Sequence, residues 1–247
     1  MPTKNVACDG YYAGSGSKQT TVKCDGSSPI ISVGSNLPSY TACGAVIENL
    51  IIDGSGSNGN FGNNITGVFL NNVCNCFIRN LTIKNCDVGI EIKNTEEKES
   101  FANRFEHIRL VNVKTGIKFT GAANNKNFHY TTIDDVYIGL KNDSSAVGIK
   151  IGDSSTTAKL YSAFIKANVN LGSSGGKGLE VNGELKYSLV NLEVKRDTNT
   201  GVGIQINSGA VVSDNQSFLL TKIGFDPNSS SIINNSAYGP DVVERPQ

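Results

Sequence analysis

The sequence predicts an all-β chain wound as a single right-handed parallel β-helix, and three observations carry that prediction. A short pattern, Val88-Gly89-Ile90-Glu91-Ile92, returns as Thr66-Gly67-Val68-Phe69-Leu70, Thr115-Gly116-Ile117-Lys118-Phe119, Val147-Gly148-Ile149-Lys150-Ile151, Lys177-Gly178-Leu179-Glu180-Val181 and Val202-Gly203-Ile204-Gln205-Ile206. Its glycines are separated by 22, 27, 32, 30 and 25 residues, the loose period of a solenoid with insertions. A second pattern, Asn80-Leu81-Thr82-Ile83, recurs in alternation with the first. The composition agrees: 27 Gly, no Trp and 18% charged residues suit many tight corners and few helices.

Taken in order, residues 1–19 are rich in Gly and Ser and read as a cap or the remnant of a coil. The parallel β-helix domain is expected to span 20–225 and to hold about eight coils. Thr20-Thr21-Val22-Lys23-Cys24 and Ile31-Ser32-Val33 are weak copies of the two strand types. The second type is tracked by an apolar pair at Leu50/Ile52, Leu81/Ile83, Ile108/Leu110, Val136/Ile138, Val169/Leu171, Leu192/Val194 and Ile223/Phe225. Three positions before each pair stand Ile47, Ile78, Phe105, Ile133, Lys166, Leu189 and Leu220, expected to mark a third, shorter strand. Strands with period-2 alternation, three to a coil, bury their inner faces only by stacking, and parallel crossovers favour the right hand. The segments Asn94–Asn103, Gly121–His129 and Gly152–Lys159 read as insertions between the first and third strand types, and Gly54–Ile65 and Lys141–Ala146 as insertions before the first. Residues 226–247, with Pro227, Pro240 and Pro246, read as a C-terminal cap and tail.

Lys plus Arg and Asp plus Glu both number 22, so no electrostatic drive toward nucleic acid or an anionic membrane exists. No apolar run is long enough for membrane insertion by a helix, and Met1-Pro2-Thr3-Lys4-Asn5 lacks the blocks of a secretory signal. Asn-X-Ser/Thr acceptors at Asn64, Asn80, Asn142, Asn215, Asn228 and Asn234 suit an extracellular surface, although an Asn-rich chain contains several by chance.

The run Asn80-Leu81-Thr82-Ile83-Lys84-Asn85-Cys86-Asp87-Val88-Gly89-Ile90-Glu91-Ile92, with Ser28-Pro29-Ile30-Ile31 and Glu48-Asn49-Leu50-Ile51-Ile52-Asp53-Gly54, resembles the pectate-lyase-like superfamily of right-handed β-helices. That superfamily includes pectate lyases, polygalacturonases and phage or viral tailspike depolymerases. The resemblance covers roughly residues 20–225 and implies a polysaccharide or surface glycan as partner, an extracellular, cell-surface or virion location, and a homotrimer where the relative is a tailspike. If the chain is an enzyme, the resemblance implies a polysaccharide lyase or glycoside hydrolase; the alternative is a structural or adhesive stalk.

The residues that match are coil-forming, so chemistry has to be sought separately. Glycoside hydrolysis uses two carboxylates, and Asp134-Asp135 is the acidic doublet on an expected strand, with Glu106 one coil earlier. Polygalacturonases carry their Asp pair in a Gly-Asp-Asp-Cys-like context with a Gly-His-Gly, whereas this doublet follows Ile133 and neither His107 nor His129 has flanking glycines. Asp135 also occupies the slot of Asn49, Asn80, His107, Asn168 and Asn191, which reads as a turn position. None of the arginines at 79, 104, 109, 196 and 245 stands in a lyase motif, and Arg79 falls between Glu48 and Glu106 as a Glu-Arg-Glu ladder. The outward residues of the first strand type, Phe69, Glu91, Lys118, Lys150, Glu180 and Gln205, read as a solvated charge ladder.

The candidate substrate-binding patch is His107, Arg109, Asp135 and Tyr137, expected on adjacent rungs with Asn168 and Asn170 beyond. A His, an acid, an Arg, an aromatic and two amides can hold a sugar by stacking and hydrogen bonds, or can be ordinary solenoid surface. No cofactor motif is present. Cys74-Asn75-Cys76 with Cys86 lacks the paired spacing of a metal site. Cys43 and Cys74 each stand seven residues before their coil's Leu50 or Leu81, so they are expected one rung apart, as a disulfide or as two core thiols.

Overall fold

A computed structural model describes residues 5–6, 11–13, 20–24, 28–34, 42–55, 60–95, 99–121, 127–153, 158–195, 201–220, 225–227, 231–233 and 236–238. The described residues contain no helix. They form a parallel β-solenoid whose strands gather into three long sheets of nine, eleven and six strands, with about six turns contributing to all three. Short strands within 1–19 and after 225 pair with the same sheets.

The first sheet is built from the glycine pattern. Val68, Ile90, Ile117, Ile149, Leu179 and Ile204 pair in one file, and Leu70, Ile92, Phe119, Ile151, Val181 and Ile206 in the next. All are buried. The glycines keep negative φ, so close approach rather than a turn requires them. A Cβ on Gly116 would stand 2.4 Å from the Gly148 carbonyl oxygen and 2.7 Å from Ile138 Cγ2, and Gly67, Gly89, Gly148 and Gly178 meet the next glycine's carbonyl in the same way. The outward file Phe69, Glu91, Lys118, Lys150, Glu180, Gln205 is in register as expected. Its charges are paired: Lys118 lies 3.8 Å from Glu91 and 3.3 Å from Asp153, and Lys150 3.2 Å from Glu180.

The second sheet carries the Asn-Leu-X-Ile pattern. Leu81 and Ile83 are buried and pair with Ile108 and Leu110, which pair with Val136 and Ile138. Ile78 belongs to the same strand, Phe77–Lys84, and not to a third one. The offset of three arises because Asn80 adopts φ 52°, which bends the strand, adds one outward residue, and lets both Ile78 and Leu81 face inward. Asn49, His107 and Asp135 make the same bend at φ 58°, 52° and 52°. The Glu-Arg-Glu register holds, with Arg79 Nε 2.5 Å from Glu48 Oε2.

Three expectations are corrected by the strand pairing. Ala167/Val169, not Val169/Leu171, pair with Val136/Ile138, because the strand Phe164–Asn170 has no bend. Ile165, Ala167 and Val169 then point inward at simple alternation, so Ile165 and Val190 fill the slots expected for Lys166 and Leu189. Ser217 is their partner in the next coil, in place of Leu220. In the last coil Leu192 pairs with Leu219, and Phe225 joins the first sheet opposite Ile204; Ile223 lies outside the described residues. The third sheet comes from the segments read as insertions: Ser100–Phe101, Asn127–His129, Lys159–Tyr161, Glu184–Lys186, Val211–Ser213 and Ser231–Ile233. Their central apolar residues, Phe128, Leu160, Leu185 and Val212, complete the core.

Side chains finish the corners. Asn103 is buried; its Oδ1 accepts from the Cys76 amide at 3.0 Å and its Nδ2 donates to the Val73 carbonyl at 3.3 Å. Asn215 repeats the device on Ser188 and Leu185. Asn112 donates to Asn85 and Asn85 to Asp53 at the corner after the second sheet. Burial alone would raise the Asp53 pKa, but hydrogen bonds from Ser55, Asn85 and Lys84 outweigh it and hold it at about 2. Cys43 and Cys74 form a disulfide with Cα atoms 4.6 Å apart, one rung of the solenoid.

Candidate functional site

The predicted patch forms on the outer face of the second sheet. Strands Arg104–Val113 and Thr132–Leu140 pair with Glu106 opposite Asp134, Ile108 opposite Val136 and Arg109 opposite Tyr137. His107 and Asp135 are the bend residues of these strands. A left-handed bend interrupts alternation, so two successive side chains point to solvent, which is how Glu106 with His107 and Asp134 with Asp135 share one face. Backbone register therefore delivers all four residues to one place.

His107 Nδ1 and Asp135 Oδ2 are 2.8 Å apart, with both side chains more than half exposed (62% and 68%). Such a solvated pair contributes about 0–1 kcal/mol. The Arg109 guanidinium lies 5.6 Å from the centre of the Tyr137 ring, again worth about 0.5–1 kcal/mol at an exposed site. These contacts orient the groups but contribute little to holding the fold together. His107, Arg109, Asp135 and Tyr137 line an open depression of about 380 Å³.

A second open depression of about 420 Å³ adjoins it, sharing Asp135 and Tyr137 and lined in addition by Lys166, Asn168, Asn191 and Glu193. Its cause is the change of strand type described above. The bent strand Thr132–Leu140 meets the straight strand Phe164–Asn170, so Asp134 and Asp135 together face Lys166, and the ladder loses a residue between Ile133 and Val136. Asn168 consequently stands beside Tyr137, and neither it nor Asn191 shares the turn slot of Asp135, contrary to the expectation from sequence. Asn170 pairs with Gly139.

Of the acids considered for catalysis, Asp134 lies 3.4 Å from Lys166 Nζ, Asp135 pairs with His107, and Glu106 sits between Arg79 and Asp134 in the ladder. Glu193, which the sequence patterns did not single out, accepts from Asn168 Nδ2 at 2.7 Å and lies 3.1 Å from Lys195. The repeat alignment puts Lys166 in an inward slot and Asn191 in the turn slot and passes over Glu193, because their true places depend on a change in apolar spacing, from three-then-two before residue 140 to two-then-two after it. That change is visible in the sequence and marks the groove.

Among the described residues no group of three or more His, Cys, Asp and Glu could hold a metal ion. No family model matches the chain, and no curated protein does. Two phage proteins of known structure are similar to it. ORF18 of Geobacillus virus E2 shares 13% identity at a TM-score of 0.42, over 93% of this chain and 48% of that one. Tailspike protein 3 of bacteriophage CBA120 shares 10% identity at a TM-score of 0.26, over 100% of this chain and 55% of that one. The chain thus spans about half the length of each.

Proposed function

We propose that the chain is an extracellular, cell-surface or virion-associated β-helix that holds a polysaccharide along the outer face of its second sheet, in the groove through His107, Arg109, Asp135 and Tyr137. The observation that carries this reading is a pair of adjoining depressions, sharing Asp135 and Tyr137, that span four rungs and are lined by an aromatic ring, a His–Asp pair and amides. Sugars present C–H faces that stack on rings and hydroxyls that take both donors and acceptors, and this lining offers both. The solenoid itself is proposed to be right-handed, as parallel crossovers favour, with about eight coils, a number supported by the nine strands of the first sheet. Cleavage, if it accompanies binding, falls to Asp135, Asp134 or Glu106.

A stalk is the second reading, favoured by the paired charge ladder on the first sheet, which leaves that face without a recognisable site. The deciding experiment screens the purified chain on a glycan array and repeats it with Asp135→Asn, Tyr137→Ala and, on the other sheet, Lys118→Ala. Loss of binding in the first two alone, with thermal midpoints unchanged, supports the groove; a parent that binds no glycan leaves the stalk.

A further inference from the structure

The third sheet carries a feature the groove does not explain. Phe101, Tyr130 and Tyr187 are the large apolar side chains most exposed among the described residues, at 41%, 65% and 62%, and all three stand at or just past the C-terminal ends of strands of this sheet. Phe101, His129, Tyr161 and Lys186 pair in one outward file, and Tyr130 and Tyr187 follow it as corner residues. The rings touch in sequence: His129 is 6.0 Å from Tyr130 and 5.4 Å from Tyr161, and Tyr161 is 6.4 Å from Tyr187. Singly exposed apolar residues are ordinary, but a contiguous stripe on a polar surface marks a contact site.

Backbone conformation supplies a second observation. Tyr130 and Tyr187 have φ 53° and 55°. Bulky residues avoid that region, whereas Asn tolerates it, and the chain places Asn at the equivalent corner in Asn75. Folding therefore gives no reason for tyrosine at these corners. The charged side chains along the file are paired with one another or with a ring: Glu184 lies 2.8 Å from Lys159 and 2.7 Å from Lys186, and Glu99 lies 3.5 Å from His129, while Asp214 takes the corner one rung beyond Tyr187. A surface of rings and hydroxyls whose lysines are already paired with Glu184 is complementary to an uncharged, hydroxyl-rich partner rather than to a polyanion.

We propose that this stripe is a second binding surface, for a neutral polysaccharide laid along the solenoid axis, with sugar faces stacked on Tyr130 and Tyr187. These rings stand two rungs apart, Ser162 occupying the corner between them, which at strand spacing is roughly 10 Å. The surface shares no residue with the groove on the second sheet, so the two readings fail separately.

The test is the double variant Tyr130→Asn and Tyr187→Asn, since Asn suits both corners and the fold is kept. Affinity electrophoresis in gels containing hydroxyethylcellulose, xyloglucan, dextran or polygalacturonate is the first readout. Tyrosine fluorescence is the second, usable because the chain has no Trp. The parent is expected to be retarded by at least one neutral polymer; the double variant should melt no lower and lose affinity by about tenfold or more, while Lys118→Ala binds as the parent does. Retardation by no neutral polymer, retardation by polygalacturonate alone, or unaltered affinity in the double variant would overturn the proposal. So would sedimentation showing that the double variant splits an oligomer formed by the parent, because the stripe would then be a contact between copies.

Discussion

Gly116 and Gly209 separate two uses of glycine in this chain. Gly209 has φ +82° and nothing within 4 Å of where a Cβ would stand, so alanine there meets only the cost of a left-handed backbone, about 1 kcal/mol. Gly116 has ordinary φ but lies against the Gly148 carbonyl, an atom fixed by the sheet ladder. Alanine there must push two coils apart, and overpacking of this kind costs about 1–3 kcal/mol. Urea unfolding of Gly116→Ala should therefore show a larger loss of stability than Gly209→Ala; equal losses would mean that the coils yield to each other more readily than their register implies. The same distinction explains why the repeat is so legible in sequence. A glycine demanded by packing recurs in successive coils from Gly67 to Gly203, whereas corner residues vary among Asn, His, Asp, Ala, Ser and Tyr.

At the scale of a strand, legibility depends on whether a side chain's role is periodic. The apolar files of the first sheet and of the second as far as Ile138 can be read because each has a counterpart one coil away. The third sheet cannot, since its strands show only two or three residues each, with a single inward side chain, and alternation needs more to be seen. The groove is half legible: His107, Arg109, Asp135 and Tyr137 follow from register alone, but Lys166 and Glu193 depend on a strand that loses its bend. Corner asparagines tie these elements together, and Asn103 shows how. Asn103→Ala would leave the buried Cys76 amide without its acceptor, while the Val73 carbonyl keeps its bond from Ser100 Oγ at 2.6 Å. The expected loss is that of one unsatisfied buried donor, about 1–3 kcal/mol. It should appear as a lower denaturant midpoint with an unchanged slope, and a neutral result would show that water enters the corner.

For the whole molecule, the governing fact is that each coil touches only its neighbours, so stability is a chain of local terms and damage at one end need not reach the other. The Cys43–Cys74 bridge tests this. It closes a sequence separation of 31 residues at the N-terminal side of the described core, and the chain-entropy model assigns such a loop about 3–4 kcal/mol. The buried Cys76, two residues from the bridge, is a poor exchange partner, because burial pushes its thiol up to about 11 and leaves little thiolate to attack. Replacing both bridge cysteines by serine should therefore lower protection against amide hydrogen exchange in Val46–Glu48 and Leu50–Asp53, whose strands flank the bridge. Amides of Val202–Ile206, several coils away, should exchange as in the parent. Equal loss of protection at both ends would mean that the solenoid unfolds as one unit, with coupling between coils stronger than the bridge itself.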